Sequence, residues 1–221
     1  MFDLNITSSV NGDRTGGRAK NSIFSSPSLT IIVLCILSFI LEQIPIIGPQ
    51  YISIFQFDPN SLILRPWTLV TYIFLHTGLW HLFFNMFVLF FFGPALEKRI
   101  GNKMFLEVFF TAGVLSALGF AFLSKPIFDI SPGLMVGASG AIYGVFAALT
   151  VLEPDLLVYV YFVPMKLKYA LLLFALFDIL MVNFPDTIAH TAHLSGLFIG
   201  LYMGLRIKKA QEKYIKTYGR W

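Results

Sequence analysis

Apolar residues fill this chain in long uninterrupted stretches rather than in alternation with polar residues. Each stretch runs for about 17–20 residues, the length that an α-helix needs to cross a bilayer. Strands of a membrane barrel would instead alternate apolar and polar positions. The pattern predicts six membrane-spanning helices, at residues 28–47, 80–97, 103–123, 138–153, 167–184 and 188–206.

These segments are predicted to form one domain, because no stretch repeats along the chain. Residues 1–27 are predicted to be a polar cytoplasmic tail, residues 28–206 the six-span domain, and residues 207–221 a basic cytoplasmic tail. The fourth segment is short and rich in small residues, so we expect it to be buried among the others. The predicted fold class is all-α, a polytopic membrane protein built as a six-helix bundle.

Composition supports this assignment. Of the residues, 57% are hydrophobic and 13% are charged, whereas a soluble domain carries about 25% charged residues. A chain this apolar satisfies its backbone hydrogen bonds in a lipid bilayer only as a helix bundle or a closed barrel. The net charge of +4 does not indicate nucleic-acid binding, because the basic residues flank the apolar segments. The single cysteine, Cys35, excludes an internal disulfide.

Basic residues also predict the orientation, because they are enriched on the cytoplasmic side of membrane proteins. With the N-terminus in the cytoplasm, 14 of the 16 Lys and Arg residues lie inside, and Arg65 and Lys125 lie outside. Both termini are therefore predicted to be cytoplasmic. The first residues do not resemble a signal or transit peptide. A six-span core of this kind favours a multi-pass protein of a prokaryotic cell membrane.

The first outer connection, residues 48–79, is long for a loop between helices and rich in aromatic and aliphatic residues. Long loops in compact domains are usually functional. We expect this connection to lie partly in the membrane interface.

Polar residues recur near the outer ends of three predicted helices. Ionisable groups within a bilayer are costly, so each is a functional candidate. The pairs, one on each of spans two, four and six, are His81 and Asn85, Ser139 and Tyr143, and His190 and His193. Each residue lies within about two turns of the outer end, or about 0–9 Å deep. Three helices are thus predicted to present polar groups at one level.

Small residues around Ser139 predict close helix contact. Glycines with a predicted role in helix packing are Gly137, Gly140, Gly144, Gly196 and Gly200. Small residues allow helix backbones to approach closely in membranes. Contact between predicted spans four and six would bring His193 within reach of Ser139.

This arrangement suits nucleophilic catalysis. A serine hydroxyl is a weak nucleophile until a neighbouring base takes its proton, and His193 is placed to be that base. Asn85, His81 and backbone N–H groups at the start of span four are candidate donors to an oxyanion. We expect no carboxylate to orient His193, so the pattern predicts a Ser139–His193 dyad. Tyr143, one turn below Ser139, is a candidate to pack against the imidazole.

The same segments resemble, in order, the signatures of rhomboid proteases. They are His81–Asn85 on span two, Gly137–Gly140 with Tyr143 on span four, and Ala192–Gly196 with Gly200 on span six. The segment Glu97–Gly101 is also similar to the one that follows the family's second span. The resemblance covers about residues 30–206, the whole predicted six-span core.

The resemblance implies an intramembrane serine endopeptidase. It implies a catalytic dyad of Ser139 and His193, an oxyanion site formed by His81, Asn85 and the Ser139 N–H, and stacking of Tyr143 on His193. It further implies a water-filled cavity that opens to the outer face and a fifth span that gates lateral entry. Single-span transmembrane proteins are the implied substrates, and no cofactor, metal or nucleic acid is expected.

One departure from the family pattern concerns the first loop. The family usually has Arg directly after the loop tryptophan, whereas Trp67 is followed by Thr68, with Arg65 two residues before Trp67. The departure leaves the anchoring of the loop open. Asp178, in the middle of predicted span five, and His190 have no assigned role.

Three other functions compete with proteolysis. His190 and His193 have a spacing that suits metal ligation, but no H-E-x-x-H motif or nearby carboxylate supports it. A catalytically silent rhomboid-like protein that binds membrane clients would not need both Ser139 and His193. A transporter or channel would call for internal repeats or helices broken at the midplane. Cleavage of a single-span substrate by purified protein separates these functions.

Overall fold

The computed structural model describes residues 26–129, 131–160, 162–183 and 188–219. Its α-helices are α1 (Pro27–Glu42), α2 (Gly48–Phe55), α3 (Thr68–Thr71), α4 (Leu79–Phe128), α5 (Ser139–Leu152), α6 (Leu167–Met181) and α7 (His190–Tyr218). Short 3-10 helices cover Pro59–Ser61 and Tyr72–Phe74. The all-α class is therefore confirmed. The predicted N-terminal tail, up to residue 25, lies outside the described residues.

A small β-hairpin forms the one two-stranded sheet among the described residues. Strands β1 (Leu157–Val160) and β2 (Val163–Lys166) pair antiparallel, with Leu157 opposite Lys166. They lie in the predicted connection between spans four and five. At the base of the hairpin, the Lys168 and Lys166 ammonium groups bond Asp155 and lower the pKa of its carboxyl group.

Helix α4 contains two of the predicted segments and breaks at Gly101. Gly101 has φ 78° and ψ 160°, a conformation that glycine adopts without steric cost. Among the described helices, α4 alone is long and apolar enough to span a membrane, while α1 and α5 are shorter apolar helices. The number of membrane spans therefore stays a prediction.

Large apolar side chains are exposed along the outer faces of α1, α4, α6 and α7. They include Leu37, Phe83, Phe87, Phe91, Leu172, Leu176, Leu180 and Phe198. Soluble monomers rarely expose apolar patches that extend over several helices. Such surfaces are typical of helices that contact lipid, where the apolar side chains have no water to avoid.

Helix α5 lies at the centre, packed between α4 and α7. From Gly140 to Thr150, every residue except Tyr143 is buried. This agrees with the expectation that the fourth predicted segment is surrounded by the others.

Glycines hold the backbones of α5 and α7 together. A Cβ added at Gly196 would collide with the Gly140 carbonyl, and one added at Gly200 would collide with the Gly144 backbone. On the opposite side, Gly144 contacts the Ala112 side chain of α4. Gly137 differs from these four, because it precedes α5 and contacts His81 rather than a helix backbone.

The first connection is ordered by hydrogen bonds to its own backbone. Arg65 Nη1 donates to the Ser53 carbonyl at 2.8 Å, and Trp67 Nε1 donates to the Ile54 carbonyl at 3.1 Å. Both side chains thus anchor the loop to α2, although Thr68 replaces the family's usual arginine. Ile63 and Leu64 at its tip are 93% and 80% exposed. Exposed aliphatic side chains there suit an interfacial position.

Glu97 joins the start of α1 to α4. Its buried carboxylate accepts the Ser28 N–H at 2.5 Å and the Ser26 hydroxyl at 2.7 Å. The N-terminal N–H groups of a helix lack carbonyl partners within it, so Glu97 satisfies one of them in place of water.

We expect Gly200→Ala to destabilise the protein. The added methyl group meets the Gly144 backbone, and overpacking of this kind costs about 1–3 kcal/mol. The measurement is thermal unfolding of the purified chain in detergent. Gly133→Ala is the control, because a Cβ at Gly133 has nothing within 4 Å. Equal melting temperatures for both variants would show that the contact between α5 and α7 has room for a methyl group.

Candidate active site

Ser139 and His193 lie together at the starts of two packed helices. Ser139 is the first residue of α5, and His193 is in the first turn of α7. Their side chains meet with His193 Nε2 and Ser139 Oγ 2.8 Å apart, an ordinary hydrogen-bond distance. The glycine contacts between α5 and α7 continue directly below this pair. The close backbone approach therefore sets the distance between hydroxyl and imidazole.

The chain that leads into Ser139 is held by the first connection. Phe57 and Met135 exchange two backbone hydrogen bonds, of 3.0 and 2.9 Å. The Gly137 N–H donates to the Tyr72 carbonyl at 2.9 Å, and the buried Tyr72 hydroxyl donates to the Gly113 carbonyl of α4 at 2.8 Å. The loop thus fixes the direction from which the backbone enters α5.

Gly137 has a specific conformational role in this segment. Its φ of 119° is one that residues with a Cβ rarely adopt, and an added Cβ would lie 2.7 Å from His81 Cε1. Glycine is therefore required on two counts, by backbone conformation and by space.

Tyr143 stacks on His193. The ring centroids are 4.5 Å apart, and the planes differ by 12°. Tyr143 lies one turn after Ser139 on the same face of α5, so one helix supports both the imidazole plane and the hydroxyl that bonds its Nε2.

Asp178 of α6 contacts the other ring nitrogen of His193. Asp178 Oδ1 lies 3.0 Å from His193 Nδ1, and the Asp178 side chain is only 1% exposed. The expectation that no carboxylate orients His193 is therefore wrong. The reason is that α6 packs against α7 and brings Asp178 beside a histidine fifteen positions further along the chain.

His190 shares the same carboxylate oxygen. His190 Nδ1 lies 2.5 Å from Asp178 Oδ1, and both side chains are almost fully buried. The other oxygen of Asp178 is buried and has no hydrogen-bond partner among the described residues. A lone acidic residue in an apolar helix is a sequence signal for a functional group. Its partner was not predictable without the packing of the helices.

His81 and Asn85 occupy the first two turns of α4, beside the loop that contains Gly137. His81 Nδ1 lies 3.1 Å from the Thr77 hydroxyl. Asn85 Nδ2 donates to the His81 carbonyl at 2.8 Å, while its buried Oδ1 has no partner in the described part of the chain.

His76 lies behind His81, with ring centroids 5.1 Å apart. Burial, reinforced by the neighbouring His81, lowers the pKa of His76 to about 3. His76 is therefore neutral at physiological pH and adds no positive charge beside His81.

Asp178, His190 and His193 also form a set of possible metal ligands, with ligand atoms within 4.8 Å of one another. An ion bound there would compete with the hydrogen bonds from the two Nδ1 atoms. A site with two imidazoles and one carboxylate would suit zinc. The expected absence of a metal stays a prediction.

The arrangement has the parts that acyl transfer requires. A hydroxyl contacts a base, and a third group contacts that base on its far side. Ser139 also starts a helix, where free N–H groups and the helix dipole favour negative charge.

Comparison with known proteins gives a family for this chain. The family model described as "Rhomboid domain" matches residues 64–210, more than half of the chain. The Bacillus subtilis (strain 168) protein "Putative rhomboid protease YdcA" is 34% identical over 152 residues, which cover 67% of this chain and 71% of the relative.

Two longer relatives match most of this chain. The mitochondrial presenilin-associated rhomboid-like protein of Homo sapiens is 32% identical over 180 residues, covering 78% of this chain and 46% of the relative. The rhomboid protease GlpG of Yersinia pestis (strain Pestoides F) is 30% identical over 181 residues, covering 80% of this chain and 60% of the relative. The chain is therefore an integral membrane protein that belongs to the rhomboid family of intramembrane serine proteases.

Proposed function

We propose that this protein hydrolyses peptide bonds of single-span membrane proteins near the outer face of the membrane, with Ser139 as nucleophile and His193 as base. The observation that carries the proposal is the 2.8 Å contact between Ser139 Oγ and His193 Nε2 in a member of this family. No cofactor is needed, because the two side chains supply both the nucleophile and the proton transfers.

The reaction proceeds in two halves. His193 Nε2 takes the Ser139 proton as Oγ bonds to the substrate carbonyl carbon, and the imidazolium then protonates the leaving amine as the C–N bond breaks. Water attacks the resulting acyl-enzyme, with His193 again as base. Stacking on Tyr143 keeps the imidazole plane fixed while its charge changes.

The oxyanion is proposed to be stabilised by three groups. The Ser139 N–H lies at the start of α5, where no carbonyl of the helix accepts it. An asparagine amide has two donor hydrogens, and Asn85 uses one on the His81 carbonyl, which leaves one for substrate. His81 lies beside Gly137 and is the third candidate donor.

The length of α5 supports an active site below the membrane surface. Its 14 residues extend about 21 Å, whereas the hydrocarbon core is about 30 Å thick. The far end of α5 is marked by the ion pair of Glu153 with Arg99, at 2.7 Å. If that end lies at the cytoplasmic interface, Ser139 lies about 10 Å below the outer surface. Water must therefore reach it through a cavity.

The proposed topology has six spans and cytoplasmic termini. The two halves of α4 would be spans two and three, and α1, α5, α6 and α7 the others. In this arrangement α4, α5 and α7 begin at the outer side, so His81, Ser139 and His193 share one level.

The nucleophile assignment predicts that Ser139→Ala abolishes cleavage of a single-span substrate. The fold should remain, because the substitution removes only a hydroxyl group and alanine is favourable in a helix. The measurement is cleavage in detergent, together with labelling by a fluorophosphonate probe. Ser195→Ala is the control, since the Ser195 hydroxyl donates to the Thr191 carbonyl of its own helix. Full activity of Ser139→Ala would refute the proposal, and inhibition of the wild type by EDTA would favour a metal mechanism.

A second prediction separates the base from the oxyanion site. Loss of one oxyanion donor lowers the rate by about 10²–10³-fold, because the other donors and the base remain. Asn85→Ala should therefore be slow but measurable, while His193→Ala should approach the Ser139→Ala level. Complete loss in both variants at unchanged thermal stability would show that Asn85 has a different role.

The third prediction concerns the substrate. A peptide bond in a transmembrane helix is hydrogen-bonded and covered, and opening the helix in hydrocarbon leaves its N–H and C=O groups without water. We therefore expect cleavage in the outer third of the substrate's span, near small or helix-breaking residues.

Mass spectrometry of the products locates the scissile bond. Replacing neighbouring Gly, Ala or Ser residues by Leu should then slow cleavage, because the helix opens less readily. Cleavage near the cytoplasmic face, or equal rates with and without the Leu residues, would contradict an outer-facing site.

A further inference from the structure

We propose that Asp178 is a positioning residue that fixes the tautomer of His193, so that the working unit is Ser139–His193–Asp178 rather than a dyad. This inference rests on the proposed function and specifies which group prepares the base. Asp178 acts through His193 and does not touch the reacting atoms.

The geometry places the three groups in series. Asp178 Oδ1 is 3.0 Å from His193 Nδ1, and His193 Nε2 is 2.8 Å from Ser139 Oγ. The imidazole thus lies between a carboxylate on α6 and a hydroxyl on α5. Each of its two nitrogens has one defined partner.

Hydrogen-bond chemistry then decides where the proton is. An ionised carboxylate only accepts hydrogen bonds, so the nitrogen that faces Asp178 must carry hydrogen. In a neutral ring this leaves Nε2 unprotonated and able to accept the Ser139 proton. The opposite tautomer would place a hydrogen between Nε2 and Ser139 and could not act as base.

Other groups around His193 do not provide this constraint. Ser139 and Tyr143 contact it from α5, and His190 contacts it from its own helix. Of the residues that the structure describes around His193, Asp178 is the carboxylate in hydrogen-bond contact.

His190 holds the carboxylate in place. Its Nδ1 lies 2.5 Å from the same Oδ1 atom, so the carboxylate joins two histidines of α7 to α6. Burial of Asp178 and His190 strengthens these hydrogen bonds, because the local dielectric constant is low.

The test compares wild type with Asp178→Asn in the purified full-length chain. Asparagine keeps the shape but removes the charge and can donate its amide hydrogen to Nδ1, which favours the wrong tautomer. Asp155→Asn is the control, because it removes a carboxylate that binds only exposed lysines in the hairpin region. The values of kcat and KM are measured on a single-span substrate, and ¹⁵N spectra of histidine-labelled protein report which ring nitrogen carries hydrogen.

We expect Asp178→Asn to lower kcat by about 10²–10⁴-fold with little change in KM, while Asp155→Asn matches the wild type. His193 should carry hydrogen on Nδ1 in the wild type and on Nε2 in Asp178→Asn. A merely structural role would lower stability and leave the hydrogen on Nδ1.

Wild-type kcat and an unchanged His193 tautomer in Asp178→Asn would overturn the inference, as would a wild-type His193 with its hydrogen on Nε2. If Asp178→Asn does not fold, Asp178→Glu keeps the carboxylate and should keep the wild-type tautomer. If the wild type cleaves no substrate, the proposed function fails, while the ring spectrum still decides the tautomer.

Discussion

The backbones of α5 and α7 touch because facing positions on both helices are glycine. Gly140 faces Gly196, and Gly144 faces Gly200. A Cβ added at Gly196 or at Gly200 would collide with the backbone of the facing glycine. Between helices in lipid, apolar burial gives little net attraction, and close van der Waals contact replaces it. The 2.8 Å distance between Ser139 and His193 depends on this contact, because both residues lie one turn or less from it.

A second constraint comes from α6, which packs differently. Its buried residues are Leu167, Ala170, Leu171 and Asp178, so the second half of the helix has one buried side chain, and that side chain is polar. Its neighbours Leu176, Phe177, Ile179 and Leu180 are exposed. The second half of α6 therefore contacts α7 through the hydrogen bonds of Asp178 with His190 and His193 and through the Phe177 ring beside His190, while Phe174 and Ala175 pack against the core.

Sequence patterns predicted the positions of the long helices, because apolar length and charge placement act locally. They also predicted the contact between Ser139 and His193, since the glycine spacing on two segments indicates which helix faces can touch. The contact of Asp178 with His193 was missed, because α6 has no small-residue pattern to show which of its faces meets α7. The break of α4 at Gly101 was predictable from the composition of the segment between the two apolar stretches. The hairpin formed by Leu157–Val160 and Val163–Lys166 was not, because its strands are short and pair with each other.

The attachment of α6 through Asp178 has an energetic consequence for substrate entry. Moving α6 away from α7 would separate the carboxylate from both histidines. A buried charge that loses its partners is strongly unfavourable, so the state with α6 packed against α7 is the one in which His193 is held for catalysis. If α6 forms the gate, as the family resemblance implies, opening the gate would break the hydrogen bond between Asp178 and His193. Under the proposed mechanism, entry of a substrate past α6 and attack on its peptide bond must therefore occur in successive states, because one arrangement of the helix cannot serve both.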